Sequence, residues 1–525
     1  MSRNFDANDQ AKAGILAEPI NLLVGYDSVS GLVRPSIAVK SDISEKIDTT
    51  CPFELKVSIS MEQLATSLYY SQSVSASYMG GNASAKVQYM NTVQQTTFAV
   101  TMSVYTSKTS RIETILNPEF KRSIGLPQND QEANEFFAVF GDAFISSYRK
   151  GGEYIALYTF FCSDRTEQES LAAQISMDVG KGFASGSSEA QLALDTLLRE
   201  VKVTYQLSQY MSGQTGLSFP QGSGIFEFAQ KYPSYPMDAP AIITFGTTGY
   251  ESVYGNGNAF AKIAANRKYF IGNQNVDGLA KDLVRIDESL KQMDQIYDIY
   301  KFYGFESKDA TLVTSREQAI KDIDTIKQQM DDYSTNPTAA FVKPELPTRH
   351  VGAPILKSKG LLYSDKWGGN GGSPFNDVNL ETFFKFKTCM KAISLRAGKR
   401  VDQLRTEYRQ TNPDQSIGSP QSFICKRGGG GGGDTGTYQL NNFSSYEESV
   451  VKISGRSGEK LDQVVIEFGV EGNKISGGGS GGSSFGPWQP PAGSIVLGFC
   501  GRCGEEIDQL GIVYSYLLEA EWDVD

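Results

Sequence analysis

The chain has 525 residues, 40% of them hydrophobic and 21% charged, a balance that supports two or three separate cores and excludes wholesale disorder. A net charge of -11 with no Lys/Arg stripe excludes nucleic acid as a partner. The same charge weakens plain adhesion to anionic lipid, so a membrane-acting protein of this composition needs a targeting domain.

The first twenty residues carry Arg3, Asp6, Asp9, Lys12 and Glu18 and hold no apolar core of signal-peptide length. No apolar run reaches about 18 residues, so any membrane insertion would have to use β-hairpins. The expectation is a soluble monomer without a classical signal peptide.

From Gln63 to Ser107 the only charged residue is Lys86. Within it, Val74, Ala76 and Tyr78 share one face of a strand pattern, and Ala83, Ala85, Val87 and Tyr89 share another, with Gly80-Gly81-Asn82 as the turn. This reads as a latent hairpin. A second segment behaves alike: Leu171, Ala173, Ile175, Met177, Val179 and Phe183 alternate with polar residues and glycine, and only Lys181 interrupts the apolar face. After a Gly/Ser turn, Ala190, Leu192, Leu194 and Leu198 alternate imperfectly, and Val201, Val203, Tyr205 and Leu207 do so cleanly. Yet Ala190, Leu194, Leu197 and Val201 also share one helical face, with Ser188 and Gln191 as a capping box. Both structures fit the segment. One reading is a core helix packed on a sheet; the other is a switch from helix to hairpin.

Between the two segments lies FFAVFGDAFISSYRKGG, from Phe136 to Gly152. Phe140, Gly141, Asp142 and Phe144, followed by Gly151 and Gly152, resemble the signature of the membrane attack complex/perforin family, with Asp-Ala standing where that family places Thr-His. The resemblance implies an α+β domain, a bent central antiparallel sheet flanked by two helical clusters. It also implies that the clusters unwind into membrane strands carrying Val74, Ala76, Tyr78, Ala83, Ala85, Val87 and Tyr89, and Leu171, Ala173, Ile175, Met177, Val179, Phe183, Leu192 and Leu194. Such a barrel closes only as a ring-shaped homo-oligomer in a target-cell membrane.

Leu279, Leu283, Ile286, Leu290, Met293, Ile296 and Tyr300 recur at helical spacing, as do Ile320, Ile323, Ile326 and Met330. Thr314 with Glu317, or Ser315 with Gln318, offers a capping-box start for the second helix. A proline-rich stretch then marks a boundary, giving a domain over 1–340, a linker over 341–353 and a second domain over 354–525.

The second domain carries three repeats. Glycine loops at Gly368, Gly428 and Gly477 accompany three copies of Arg-x-Gly-x-x-Φ-Asp-Gln-Φ, with Φ aliphatic, starting at Arg396, Arg456 and Arg502. Each copy runs into an alternating strand, so three small antiparallel sheets should bury their inner faces as an all-β prism. This half resembles the jacalin-related lectins. The resemblance implies that Gly398 with Asp402, Gly458 with Asp462, and Gly504 with Asp508 hold a mannose-like sugar of a glycan or glycoprotein receptor. The plainer reading of each pair is a glycine turn with an aspartate capping nearby amides. Trp367, Phe375, Phe485 and Trp488 either touch lipid or plug the prism ends.

Six scattered cysteines do not make a disulfide scaffold; Cys500-Gly-Arg-Cys503 has redox or zinc spacing but no second pair beside it. No nucleophile elbow, P-loop or metal-ligand cluster is present in the sequence, so neither an enzyme nor a cofactor is expected. A perforin-like module joined to a β-prism is similar to bacterial and plant insecticidal proteins, which implies a released or ingested pore-forming toxin. The alternative is a non-lytic lectin or adhesion protein.

Overall fold

A computed structural model describes residues 3–6, 20–70, 85–254, 258–272, 277–304, 309–350, 352–440, 449–469, 472–516 and 518–523. It is a mixed helix and strand protein with a β-rich C-terminal region. In the N-terminal half, β1 (Val39–Lys46), β2 (Phe53–Ser58), β3 (Ala99–Phe120), β4 (Ala143–Phe161), β5 (Thr204–Ser212) and β6 (Ala241–Gly249) belong to one nine-stranded sheet. The long pair β3 and β4 is its spine, antiparallel from Ala99 opposite Phe161 to Thr114 opposite Ser147. Their shorter neighbours change midway. On β4, the partner is β6 up to Gly151 and β5 from Glu153 onward. On β3, β2 pairs with 101–106 and β1 with 112–120.

The helices of this half include α1 (Met61–Ser67), α2 (Ala85–Asn91), α3 (Asp130–Phe140), α4 (Arg165–Ser185), α5 (Ser187–Glu200), α6 (Leu279–Tyr303) and α7 (Ala310–Thr335). The strand alternation decides which helices meet which face. Val100, Met102 and Val104, with Tyr154, Ala156, Tyr158 and Phe160, form a core with Leu171, Ile175 and Val179 of α4 and Ala190, Leu194 and Leu197 of α5. On the opposite face, Tyr105, Ile155, Leu157 and Tyr210 pack against Met61, Leu64 and Ala65 of α1 and Ala85, Tyr89 and Met90 of α2.

Helical periodicity therefore wins over period two in α4, which starts at an Asp164 cap accepting from the Glu167 amide at 2.8 Å. The alternating stripe is split: Leu171, Ile175 and Val179 are buried, while Ala173 and Met177 face solvent. The clean alternation that begins at Val201 is the approach to β5 and the strand itself, so Tyr205 and Leu207 are sheet residues. Likewise, Ala99 to Ser107 lie in β3 rather than in a hairpin segment. Two expected caps are corrected. Helix α5 begins after Gly186 with no side-chain cap, and α7 begins at Asp309, which accepts from the Leu312 amide at 3.0 Å. Thr314 is inside α7 and bonds back to the Ala310 carbonyl.

The C-terminal half contains one five-stranded and two four-stranded antiparallel sheets. The first gathers residues 362–376 with Ser494–Cys503 and Ile507–Tyr516, the second spans Cys389 to Gln439 and the third Val450 to Trp488. Their inner faces, among them Ile393, Leu404, Ile453, Val464, Phe499 and Ile512, make one core. That core is continuous with the apolar faces of α6 and α7. Outside the prism, Ala353–Lys357 pairs with Glu519–Asp523 as a two-stranded ribbon.

Candidate functional site

The repeated motif builds the same corner three times. Gly398, Gly458 and Gly504 donate their amides to the carbonyls of Arg400, Lys460 and Glu506 at 2.9, 2.9 and 3.0 Å, closing three equivalent turns. The aspartate that follows each turn is tied to the glycine loop of its own sheet. Carbonyls of Asp402, Asp462 and Asp508 accept from the amides of Gly429, Gly479 and Gly369 at 3.1, 2.9 and 3.0 Å. Their carboxylates lie against Gly431 and Gly432, Gly481 and Gly482, and Gly371 and Gly372. A Cβ on any of these glycines would collide with a carboxylate oxygen, and Gly372, Gly432 and Gly482 also sit at φ of 59–61°, which L side chains rarely adopt. The glycine tracts are thus the counter-surface of the aspartates.

The expected pairs Gly398/Asp402, Gly458/Asp462 and Gly504/Asp508 are brought together, each beside its own glycine loop. Sequence reasoning did not assign the arginine that opens the motif. Arg396 donates to the carbonyls of Gly431 and Gly432 at 3.1 and 2.8 Å, Arg502 to those of Gly371 and Gly372 at 2.8 and 2.7 Å, and Arg456 to those of Gly481 and Gly482 at 2.9 and 2.7 Å. Five fixed N–H donors suit this task, since one guanidinium spans two successive carbonyls. The signal was its recurrence in all three copies. Each corner therefore sets a carboxylate, an acceptor by chemistry, beside bare glycine backbone whose carbonyls are clamped by an arginine.

The aromatic residues near these loops are packed rather than presented. Trp367 stacks on Phe485 with ring centres 4.6 Å apart, and the Arg427 guanidinium lies 5.1 Å from the Phe375 ring centre. Trp488 packs against Tyr514.

In the N-terminal half, α3 ends at Phe140 and Gly141 turns the chain at φ 73°. Asp142 is buried and accepts from the Ser28 amide and hydroxyl at 3.0 and 2.8 Å and from the Tyr333 hydroxyl at 2.7 Å; burial pushes its carboxyl up to about 6. Phe144 is buried in the adjoining core. Gly151 and Gly152 stand where the outer strands of the sheet change over, and a Cβ on either would collide with Lys108 backbone or with Met237 and Ser212. Next to them, Glu153 is fully buried and paired with Lys86 of α2 at 2.8 Å. Burial raises the Glu153 carboxyl pKa while Lys86 opposes the shift.

Among the expected membrane residues, Val74, Ala76, Tyr78 and Ala83 lie outside the described residues, as does the side chain of Val87. Ala85 and Tyr89 are buried, the Tyr89 hydroxyl 3.0 Å from that of Ser208. Leu171, Ile175, Val179 and Leu194 are buried against the sheet, and Phe183 packs on Phe53 with ring centres 4.7 Å apart. Leu192 is exposed. Cys500 is buried and Cys503 half-buried, both as free thiols.

No curated protein matches the chain. Solved structures similar to it include a Malaysian banana lectin (20% identity, 30% of this chain and 98% of that one, TM-score 0.23) and a mannose-binding jacalin-related lectin from Ananas comosus (21%, 30% and 99%, TM-score 0.24). A Calystegia sepium agglutinin is also similar (22%, 30% and 97%, TM-score 0.21). The family model that matches spans residues 364–513, and this part of the chain is a jacalin-like lectin domain.

Proposed function

We propose that the prism is a glycan-binding module whose Gly-x-x-x-Asp loops accept hydrogen bonds from neighbouring hydroxyls of a mannose-type sugar. The observation that carries this reading is the carboxylate set against bare glycine backbone, in a loop that an arginine clamps by its carbonyls. A glycan array probed with the full chain tests it. Retention of mannose-terminated glycans, competed by methyl α-mannoside, is expected; a chain that retains no sugar overturns the reading.

A second reading, favoured by the sheet topology, is that the N-terminal half is a perforin-like pore former delivered by the prism. The two segments that connect these strands, residues 59–98 and 162–203, leave the sheet at the same end. Ser58 is opposite Thr101, Ala99 opposite Phe161, and Phe161 opposite Thr204. Strands β2, β3, β4 and β5 are neighbours in that order, so both segments, if extended, would prolong four adjacent antiparallel strands. A closed barrel leaves no edge in lipid, hence a ring of subunits. In this reading a soluble monomer, released or ingested, docks on a target-cell membrane, and insects are the target that the resemblance implies.

The test introduces Phe53→Cys and Phe183→Cys with Cys51→Ser and joins the pair by a short reducible bis-maleimide. Dye release from vesicles bearing mannosyl lipid should fall at least tenfold when α4 is tied down and recover on reduction. Equal leakage with and without the tie overturns the hairpin mechanism. Vesicles that stay sealed while the glycan array responds leave a non-lytic lectin.

A further inference from the structure

The three sugar corners share backbone geometry, but their surroundings differ, and the difference follows a rule. The residue two after the loop glycine is Arg400 in the second sheet, Lys460 in the third and Glu506 in the first. Each Gly-x-x-x-Asp turn touches the next corner: Lys399 packs on Gly479, Glu459 on Gly369, and Glu505 accepts from the Gly429 amide at 3.1 Å. The side chains of Arg400 and Lys460 therefore reach a neighbour's aspartate instead of their own. Arg400 lies 3.7 Å from Oδ1 of Asp462, and Lys460 lies 3.9 Å from Oδ1 of Asp508. The third position in the cycle is acidic. Glu506 turns to the two cations, at 2.6 Å from Lys460 and 3.3 Å from Arg400. Among the described residues no cation is paired with Asp402.

Two further differences coincide at the same corner. Asp462 and Asp508 are buried, whereas Asp402 is half-buried. The tips of the glycine loops are Asn370, Gly430 and Ser480, so only the loop facing Asp402 has no side chain at its tip, and nothing stands within 4 Å of where a Cβ on Gly430 would be.

Resting on the glycan-binding reading, we infer that the three sites are unequal. The Asp402 corner is the working sugar site, and Arg400 and Lys460 act as built-in cations that occupy Asp462 and Asp508. In all three corners Oδ1 is the oxygen over the equivalent glycine: Gly431 for Asp402, Gly481 for Asp462 and Gly371 for Asp508. A sugar hydroxyl must donate to that oxygen, and in two corners a cation already faces it. At Asp402 the carboxylate keeps its full acceptor strength and the all-glycine loop leaves room for the ring.

Calorimetric titration of the full chain with methyl α-mannoside separates the possibilities. One site per chain is expected, and Asp402→Asn should lower its affinity at least tenfold with an unchanged melting temperature. Lys460→Gln frees Asp508, and Arg400→Gln frees Asp462, so each should raise the stoichiometry toward two. Two or three sites in the parent chain, or an Asp402→Asn variant that binds as the parent does, overturns the inference while leaving the prism a lectin. A stoichiometry unmoved by both charge removals overturns the role given to the cations. If the parent chain takes no mannoside and retains nothing on a glycan array, the glycan-binding reading itself falls.

Discussion

At the scale of single residues, the prism depends on glycines that differ in what surrounds them. Gly432 is at φ 61°, and a Cβ there would run into the Ala397 backbone and the Asp402 carboxylate. Gly430, two residues earlier, has open space. Gly432→Ala is expected to destabilise the prism by about 2 kcal/mol or more, whereas Gly430→Ala should stay within about 0.5 kcal/mol, as read by thermal unfolding. Equal effects would show that the glycine tract is merely flexible filler. The aspartates and their loop glycines were legible because three copies at one spacing give the pattern away. The arginine clamp was not. Arg396 meets carbonyls at Gly431 and Gly432, and that meeting depends on strand register, which one repeat read along the chain does not contain.

At the scale of elements, the sequence left Leu171 to Leu198 open between helix and strand. The structure shows why it is helical here: β3 and β4 already present a complete apolar face, and a helix satisfies its own backbone while laying Leu171, Ile175 and Val179 on that face. Opposite, α1 is held by a long-range contact that no local pattern shows. Its first amide, on Met61, donates to Oε1 of Glu288 on α6 at 2.6 Å. Burial pushes the Glu288 carboxyl up to about 7, with the Met61 amide and Lys291 opposing and Asp287 and Glu62 adding to the rise. A folded pKa above the ordinary value of 4.5 means that the folded chain holds a proton that the unfolded chain has released. The contribution is therefore fully present below about pH 4.5 and lost as pH rises through about 7. Asp142 acts in the same direction, up to about 6. The chain should melt higher at pH 5.5 than at pH 7.5. Glu288→Gln, which keeps a carbonyl acceptor for Met61, should flatten that slope by about 2 kcal/mol. Parallel pH profiles for the two proteins would remove Glu288 as the cause.

At the scale of the whole molecule, the proline-rich stretch suggests two independent bodies, yet the cores are not independent. The apolar faces of α6 and α7 merge with the interior of the prism. Tyr303, at the end of α6, is buried and donates to the Thr388 carbonyl at 2.7 Å, just before the second sheet begins. Around it, Lys385 pairs with Glu167 at 2.7 Å, Lys202 with Glu381 at 2.8 Å, and the Tyr205 amide donates to the Pro413 carbonyl at 2.8 Å. The two exposed or partly exposed ion pairs contribute little in water, so the apolar seam and the buried hydroxyl dominate. Composition marks the change from helical to glycine-rich sequence, but it cannot tell a flexible tether from a packed joint, because Tyr303 and Thr388 belong to different elements. Such continuity predicts coupling between the halves, because α6 packs on the prism core and also holds α1 through Glu288. Tyr303→Phe keeps the ring and removes the hydroxyl, leaving the Thr388 carbonyl short of a donor at a cost of about 1–2 kcal/mol. If the halves are coupled, calorimetry will show one transition in the parent chain that moves down as a whole in the variant. Two resolved transitions, with only one displaced by Tyr303→Phe, would mean that the prism and the sheet domain unfold separately and that no signal passes through the seam.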